Sequence, residues 1–323
     1  MKKVKSNLKF SSLILVTFVF LLFISCEDPE QDVFQELGHD GPYIENSIYF
    51  GREEYIEYHS GSLPIILSAP HGGWIDPSEI PDRTQGITQI DTNTYQLTKT
   101  IMDTLTIRFG GKPHVILCLL ERLKLDANRD SAEAAEGNIY AERAWAEYHY
   151  YLDIAKELVT ENHGSGIVFD IHGHGENPDG FYDLRTWLGY LIKGDELDLP
   201  DEELNTIAFK NKSSIRVLAD SSAYTFINIV RGGTSFGTLM DSLGYECVPS
   251  VNDLGPAGSR YFSGGYITAR HGSRDGGIIS AIQVELPQPG IRDTEENWSS
   301  YASAFATAVG AYYSYHLEQN IQP

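Results

Sequence analysis

The sequence predicts an α/β fold in which a mixed, mostly parallel sheet lies between two layers of helices. The first observation is a set of short apolar runs without polar alternation, at residues 63–69, 115–120, 166–171 and 278–285. Strands that are covered on both faces have this composition. The second observation is that helical periodicities separate these runs. Strands that alternate with helices along one chain are typical of a three-layer αβα domain.

The helical segments show apolar residues at spacings of three and four positions. One segment follows Asn138, a residue type that caps helices, and another lies near the C-terminus. The first face contains Ala141, Ala144, Trp145, Tyr148, Leu152 and Ala155, and the second contains Trp298, Tyr301, Ala302, Phe305, Val309 and Tyr312. These patterns predict two amphipathic helices.

The N-terminal residues indicate a targeting segment rather than part of the fold. A lysine-rich start precedes an apolar stretch at 13–24, too short for a comfortable membrane span, and Ser25 and Cys26 follow at once. This resembles a bacterial lipoprotein signal at 1–25, with Cys26 lipidated; an ordinary secretory signal is the alternative. We expect an acidic tether at 26–46, a single α/β domain at 47–320, and lipid anchoring in the bacterial cell envelope, on the periplasmic face or the surface of the outer membrane.

The composition excludes one class of partner. The formal net charge of −21 makes the chain strongly acidic, and such a surface repels nucleic acid. We therefore exclude a nucleic-acid role. Cys118 lies in an apolar run, where a buried free thiol is expected rather than a disulfide. The sequence contains no internal repeat, and it does not predict an oligomeric state.

Residues capable of chemistry follow the predicted strands. In open α/β sheets, ligands bind beyond the carboxyl ends of the strands. The polar residues at those ends are His71, Arg122, the segment 126–129, Asp170, His172 and Glu285. Two histidines with carboxylates nearby meet the needs of a catalytic zinc: imidazole nitrogens, one carboxylate oxygen and a position left open.

Four short motifs occur in a defined order along the chain. They are Pro-His-Gly at 70–72, Asp-x-Asn-Arg at 126–129, Asp-x-His-Gly at 170–173 and Gln-x-Glu at 283–285, with Gly-Gly-Tyr-Ile-Thr at 264–268 before the last. This order resembles the N-formylglutamate amidohydrolase family, which belongs to the zinc carboxypeptidase-like folds. The resemblance extends from about residue 63 to 293. It implies a zinc carboxypeptidase or phosphorylase/hydrolase-like fold and zinc-dependent hydrolysis of an amide C–N bond.

The resemblance implies a set of metal ligands. His71 and His172 correspond to the two imidazole ligands. Asp91, which precedes a threonine ahead of an amphipathic segment as in the family, is the preferred third ligand. Zinc peptidases of the wider fold have a glutamate three residues after the first histidine, where this chain has a tryptophan. Glu79 and Asp76 are therefore kept as alternatives for the third ligand.

The resemblance also implies a substrate-binding set. Asn128 and Arg129 correspond to the element that binds a substrate carboxylate, and a guanidinium can bind a carboxylate through two hydrogen bonds. Without the family, Arg129 would be interpreted as a salt-bridged loop residue. Arg122 is expected to add a second positive contact or to polarise the scissile carbonyl. Arg270 and His271 are similar candidates from the other side of the site.

Glu285 corresponds to the general base. A carboxylate at the end of an apolar strand is partly desolvated, which raises its pKa toward the range useful for accepting a proton from water. A structural glutamate paired with an arginine is the alternative. The family usually has Asn-Arg directly after this glutamate, whereas this chain has a different segment at 286–292. The reaction type is therefore better supported than the substrate.

Two other function classes remain open. Gly-Thr-Ser-Phe-Gly at 233–237 fits the nucleophile pattern of serine hydrolases, with Ser235 as nucleophile and Asp253 and His271 following in the order such enzymes use. A surface binding lipoprotein that has lost catalysis is the other class. For an enzyme in the cell envelope, we expect an N-acyl amino acid, a peptide C-terminus or a cell-wall fragment as the substrate.

Overall fold

The computed structural model of the protein describes residues 34–176, 180–317 and 321. The predicted signal segment, Cys26 and the first part of the predicted tether lie outside these ranges. The compact unit described below begins at Glu36. Near its start, the Asp40 carboxylate accepts hydrogen bonds from the hydroxyls of Tyr43 and Tyr151, at 2.6 and 2.8 Å. The folded unit therefore starts ahead of residue 47.

The described residues form one sheet of eight strands. The strands are β1 (Ile48–Phe50), β2 (Ile56–His59), β3 (Ile65–Ala69), β4 (His114–Cys118), β5 (Gly166–His174), β6 (Thr186–Gly189), β7 (Cys247–Val248) and β8 (Ile279–Pro287). Their order across the sheet is β1-β2-β4-β3-β5-β8-β6-β7. Four of the seven pairings are parallel, including all those within the central run β4-β3-β5-β8. The predicted α/β class with a mixed, mostly parallel sheet is confirmed.

Eleven α-helices lie in the described residues. They are α1 (Thr94–Phe109), α2 (Ser131–Ala135), α3 (Ile139–His163), α4 (Gly194–Leu197), α5 (Asp201–Leu204), α6 (Ile207–Lys212), α7 (Arg216–Ser221), α8 (Phe226–Arg231), α9 (Phe236–Asp241), α10 (Tyr266–His271) and α11 (Glu295–His316). Helix α3 begins where its cap predicted, because the Asn138 side chain accepts hydrogen bonds from two backbone N–H groups. Helix α11 is capped by Thr294, whose side chain accepts a hydrogen bond from the Asn297 N–H.

Alternate residues of the central strands face two separate cores. Ile65 and Leu67 of β3 pack in one core with residues of α1 and α11, whereas Ile66 between them packs in the other core with residues of α3. Successive side chains of a strand point to opposite faces of a sheet. The sheet is therefore covered on both sides, as its continuous apolar strands predicted.

The sequence did not indicate β1, β2, β6 and β7. These strands have two to four residues each and lie toward the edges of the sheet. Residues 194–241 form six short helices, α4 to α9, of four to six residues. Such short elements offer too few positions to show a hydrophobic period.

The described residues contain neither a disulfide nor a helix long and apolar enough to cross a membrane. Cys118 and Cys247 are both buried free thiols. The expectation for Cys118, based on its apolar surroundings, is confirmed.

Candidate metal centre and active site

Neighbouring strands bring four of the predicted site residues together at the carboxyl ends of the central strands. His71 lies two residues beyond the end of β3, and His172 lies in the adjacent strand β5. Glu285 lies in β8, and the parallel register places it directly beside His172. The Asp91 N–H donates a hydrogen bond to the His71 carbonyl, at 2.9 Å, just ahead of α1. Ligands of open α/β sheets bind at these carboxyl ends of the parallel strands.

Three potential metal-ligand atoms form a nearly equilateral triangle. Nδ1 of His71 lies 3.2 Å from Nδ1 of His172, and each of these nitrogens lies 3.3 Å from Oδ2 of Asp91. All three residues are buried. A tetrahedral ion with bonds of about 2.0–2.1 Å keeps its ligand atoms roughly 3.3 Å apart. The triangle therefore has the size and the donor types of a site for a zinc-sized cation.

A second carboxylate orients each imidazole. Nε2 of His71 lies 2.7 Å from Oδ1 of Asp126, and Nε2 of His172 lies 2.8 Å from Oδ2 of Asp170. An ionised carboxylate only accepts hydrogen bonds, so each Nε2 carries a hydrogen, and the lone pair of each Nδ1 would face the triangle whenever a cation replaces the proton there. Two lone pairs and a carboxylate oxygen that face one another at these distances are suited to a cation.

The chain of hydrogen bonds behind His172 extends to helix α3. The Ser68 hydroxyl donates to Oδ1 of Asp170 at 2.9 Å and lies 2.7 Å from the hydroxyl of Tyr148. Every residue in this chain is buried. The orientation of the His172 ring is thus determined by contacts with β3 and α3 as well as by its own strand.

Charge around the triangle shifts the pKa values of its members. Burial raises the pKa of Asp91, but hydrogen bonds from His172 and His71 and the charge of Arg122 bring it well below its usual value. Burial lowers the pKa of His172, but Asp170 and Asp91 bring it well above its usual value. A metal competes with a proton for Nδ1 of His172, so metal binding weakens as the pH falls.

Glu285 is a buried carboxyl beside the triangle. Burial is the largest influence on its pKa, which is raised to about 7. The Gln283 side chain, two residues earlier on the same face of β8, donates a hydrogen bond from Nε2 to Oε1 of Glu285 at 2.9 Å. A carboxyl group with a pKa near neutrality can both accept and return a proton, which a general base and acid must do.

A cavity of about 220 Å³ opens beside the triangle. It is lined by Ile87, Asp91, Arg122, Asn128, Arg129, His172, Gly173, Tyr261, Phe262, Ser263, Gly264, Gly265, Gln283 and Glu285. Six of the residues predicted to form the site, as metal ligands, base or substrate contacts, therefore share one cavity. His71, the other predicted metal ligand, contacts Asp91 and His172 at the edge of this set.

Arg122 is held by two carboxylates. Its Nε and Nη2 donate to Oδ2 of Asp126 at 3.1 and 3.0 Å, and its Nη1 lies 3.5 Å from Oδ1 of Asp91. The guanidinium therefore neutralises part of the negative charge of the metal centre. It lines the cavity, so its positive charge is also close to a bound ligand.

Asn128 and Arg129 occupy the loop between β4 and α2. Oδ1 of Asn128 accepts a hydrogen bond from the Ile267 N–H at 2.8 Å, which ties this loop to the start of α10. A Cβ at Gly265 would lie only 2.3 Å from Nδ2 of Asn128, so this close approach requires glycine. Arg129 donates from Nε to Glu133 at 3.0 Å, and its side chain is 32% exposed. It is therefore reachable from the cavity that it lines.

The structure does not bring Arg270 and His271 to this cavity. Arg270 packs over the Trp145 ring, with its Cζ 5.3 Å from the ring centroid. His271 is buried, and its Nε2 lies 2.8 Å from Nδ1 of His149, whose own Nε2 lies 3.1 Å from the Ala127 carbonyl oxygen. Burial lowers the pKa of both imidazoles. The pair thus supports the loop that carries Asn128 and Arg129 from behind.

The two alternative third ligands, Glu79 and Asp76, bind other side chains. Glu79 accepts hydrogen bonds from Arg52 and Tyr55, and Asp76 pairs with Lys124 at 2.8 Å. Neither belongs to the group of side chains that the structure gathers around His71 and His172.

The residues of the serine-hydrolase pattern have structural contacts instead of forming a catalytic triad. Ser235 is buried and caps α9, where its hydroxyl donates to Thr238 Oγ1 at 2.9 Å and accepts from the Thr238 N–H at 3.3 Å. Asp253 pairs with Arg185, and His271 contacts His149. These contacts supply neither a base for Ser235 nor an orienting acid for such a base.

Sequence reasoning gave no site role to four residues that the structure places there. Asp126 and Asp170 orient the imidazoles, and Gln283 contacts Glu285. The spacing of the sequence could have indicated Asp170 and Gln283, because each precedes a site residue by two positions on the same face of a strand. Arg292 donates hydrogen bonds to backbone carbonyls on both sides of the site, including that of Leu286 at 3.1 Å. Nothing in the sequence indicated this last contact.

No protein-family model and no curated relative matches the sequence. Among solved structures, an N-formylglutamate amidohydrolase from Ralstonia eutropha is similar, with a TM-score of 0.48 and 12% identity over 81% of this chain and 98% of that one. A gene product of Agrobacterium tumefaciens gives 0.44 and 13% over 82% and 96%. The catalytic domain of the N-acetylmuramoyl-L-alanine amidase CwlV from Bacillus (Paenibacillus) polymyxa gives 0.33 and 11% over 78% and 98%. Similarities this weak carry no argument about activity.

Proposed function

We propose that this protein is a zinc-dependent hydrolase that cleaves the amide C–N bond of an N-acyl amino acid or a peptide-like molecule with a carboxylate. The observation that carries the proposal is the triangle of His71, His172 and Asp91 with Glu285 beside it at the cavity. Two imidazoles and one carboxylate are a donor set of catalytic zinc sites, which leave one position open. The outer carboxylates fit such a site, because they orient metal-binding imidazoles.

A zinc ion held by these three residues would polarise the carbonyl of a bound amide and lower the pKa of a water molecule that reaches it. Glu285 then accepts a proton from the attacking water. As the C–O bond forms and the C–N bond breaks, Glu285 passes this proton to the leaving nitrogen and returns to its first state. The pKa of about 7 that burial gives Glu285 suits both steps.

Two arginines complement negative charge in the substrate. Arg122 is rigid because two of its nitrogens are bound to Asp126, so its charge is already in place where a carbonyl oxygen becomes negative. Arg129 is partly exposed and lines the same cavity, which suits it to bind a carboxylate.

The size of the cavity limits the part of the substrate that it encloses. The cavity has a volume of about 220 Å³. This volume suits one amino-acid unit or a small acyl group. We therefore favour a substrate end that carries a carboxylate over the interior of a long polymer.

The test is a hydrolysis screen of N-acyl amino acids and short peptides with the zinc-loaded protein, alongside His71→Ala and Glu285→Gln. We expect about one zinc per chain in the wild type and in Glu285→Gln, and none in His71→Ala. Activity should be lost in both variants and after chelation. If activity survives chelation and the protein reacts with a fluorophosphonate, the protein is instead a serine hydrolase.

We also propose that the protein is anchored in the cell envelope by a lipid on Cys26. The support is the Ser25-Cys26 junction after a short apolar stretch. Acyl chains bind a bilayer with about 0.8 kcal/mol for each buried methylene. Cys26→Ala should therefore release the protein from the membrane fraction or block its processing, and an unchanged distribution contradicts the anchor.

A further inference from the structure

Gln283 has a buried amide oxygen without a hydrogen-bond partner. The residue lines the cavity and is 2% exposed. Its Nε2 donates to Glu285, but its Oε1 finds no donor among the residues that the structure describes. Buried acceptors of this kind are uncommon in folded proteins, because burial removes their hydration without replacing it. A ligand that brings a donor into the cavity would satisfy this oxygen.

The orientation of the carboxamide follows from its neighbour. While Glu285 is ionised, which is the state that acts as the base, it only accepts hydrogen bonds, so the Gln283 side chain turns its NH₂ group toward that carboxylate. Rotating the amide would set two acceptors against each other. The position of the free oxygen is therefore determined by Glu285 and is not an arbitrary choice between two similar ends.

The donors on nearby cavity residues are already engaged. Arg122 donates to Asp126 through Nε and Nη2, and Arg129 donates to Glu133 and to the carbonyl of Asn128. The protein thus keeps a buried acceptor beside its proposed base, while the two arginines that line the cavity donate to other partners.

We propose that Oε1 of Gln283 accepts a hydrogen bond from the N–H of the scissile amide, which makes secondary amides the substrate class of this site. The inference rests on the proposed function, since it concerns the amide that Glu285 helps to cleave. Glu285 delivers its proton to the same nitrogen, and Gln283 is hydrogen-bonded to Glu285. Both side chains line the same cavity, where a bound amide would meet them.

The hydrogen bond becomes stronger as the reaction proceeds. The water oxygen bonds to the carbonyl carbon, the C–N bond breaks, and the water proton reaches the nitrogen through Glu285; Gln283 takes part in no covalent step. As the nitrogen gains this proton, its N–H groups become better donors. An interaction that strengthens toward the transition state raises kcat more than it lowers KM. Esters, and tertiary amides made by methylating the scissile nitrogen of a secondary amide (N-methyl amides below), have no N–H and cannot make it.

The experiment combines three matched substrates with one substitution. An N-acyl amino acid, its N-methyl amide analogue and its ester analogue share the acyl group and the carboxylate. Each is assayed with the zinc-loaded wild type and with Gln283→Met, which keeps the length of the side chain but loses the amide oxygen. Zinc content and the unfolding midpoint show whether Gln283→Met is folded.

We expect Gln283→Met to lower kcat/KM for the secondary amide by about 10- to 100-fold, mostly through kcat, as removal of one partner of a buried hydrogen bond does. For the N-methyl amide and the ester, the loss should be clearly smaller, because these substrates lose only the effect of the hydrogen bond that Gln283 donates to Glu285. If Gln283→Met does not fold, the wild type alone decides: a preference of less than about tenfold for the secondary over the N-methyl amide overturns the inference.

The other outcomes separate the two proposals. Equal losses on all three substrates mean that Gln283 only positions Glu285 or that water satisfies its oxygen, which overturns the inference and leaves the proposed function intact. Absence of zinc-dependent hydrolysis of any of the three overturns the proposed function together with the inference.

Discussion

Asp126→Asn and Asp170→Asn should weaken zinc binding similarly but differ in their effect on stability. Both carboxylates are fully buried and accept a hydrogen bond from Nε2 of a proposed metal ligand, at 2.7 and 2.8 Å. Loss of such an outer partner typically weakens metal binding by about 10- to 100-fold. This corresponds to about 1.4–2.8 kcal/mol of binding free energy.

The difference in stability follows from the other contacts of each carboxylate. Asp126 also accepts from the Asn128 N–H at 3.0 Å and from two nitrogens of Arg122. An asparagine has a single oxygen, so either Arg122 or the His71 side loses its acceptor. Breaking a buried ion pair costs about 3–5 kcal/mol, and the remaining contact of Arg122 with Asp91 favours the lower end of that range.

Asp170 accepts hydrogen bonds from His172 and from the hydroxyl of Ser68, and no arginine of the described residues pairs with it. The oxygen of an asparagine can still accept from His172, and its NH₂ can donate to the Ser68 oxygen. Asp170→Asn therefore keeps the number of hydrogen bonds and should lower the free energy of unfolding by less than Asp126→Asn does; its main loss is the negative charge that raises the pKa of His172.

The assay has two parts. Competition with a chromophoric chelator gives the zinc dissociation constant of the wild type and both variants, and denaturant unfolding of the zinc-free proteins gives their stabilities. Equal stability losses in the two variants would refute the argument from Arg122. Wild-type zinc affinity in both would refute the assignment of Asp126 and Asp170 as outer partners of the ligands.

Three further predictions concern the reaction. Because the ionised form of Glu285 is the active base, kcat/KM should fall about tenfold for each pH unit below the pKa of Glu285. Burial raises this pKa to about 7, and a bound cation lowers it. In Glu285→Gln, the acidic side of the pH profile of kcat/KM should become flat. Arg129→Lys keeps the positive charge but cannot bind a carboxylate through two parallel hydrogen bonds. Steady-state kinetics should therefore show a larger rise in KM for a carboxylate substrate than for its amidated counterpart. Equal rises in KM indicate a structural role for Arg129. Ser235→Ala removes a helix cap and should cost about 1 kcal/mol of unfolding free energy while leaving kcat unchanged; loss of turnover in the folded variant would revive the serine-hydrolase alternative.

The central part of the fold could be predicted because its strands carry a strong local signal. β3, β5 and β8 are buried on both faces, so each is an almost uninterrupted apolar run in the sequence. Once these runs are parallel neighbours, His71, His172 and Glu285 must come together at one edge. Their proximity follows from topology and needs no knowledge of side-chain packing.

The remainder of the site depends on contacts that no local pattern encodes. The resemblance places His271 at the substrate, but it lies on a helix of six residues and contacts His149, 122 positions away in the sequence. The unpartnered oxygen of Gln283 is likewise a property of everything that surrounds it. Asp91 could be selected only through the family, because acidic residues at 76, 79 and 82 precede it in the same connection.

The ligand triangle has a consequence for how the chain is maintained. Its atoms come from positions 20 and 81 residues apart, so an unfolded chain cannot hold them together without a large loss of conformational entropy. An ion that needs all three therefore binds only the folded chain, and its binding energy adds to the free energy of folding. With free metal at one hundred times the dissociation constant, this amounts to about 2.7 kcal/mol. Scarcity of the ion would then expose the protein to proteolysis, so that metal supply would govern its abundance as well as its turnover.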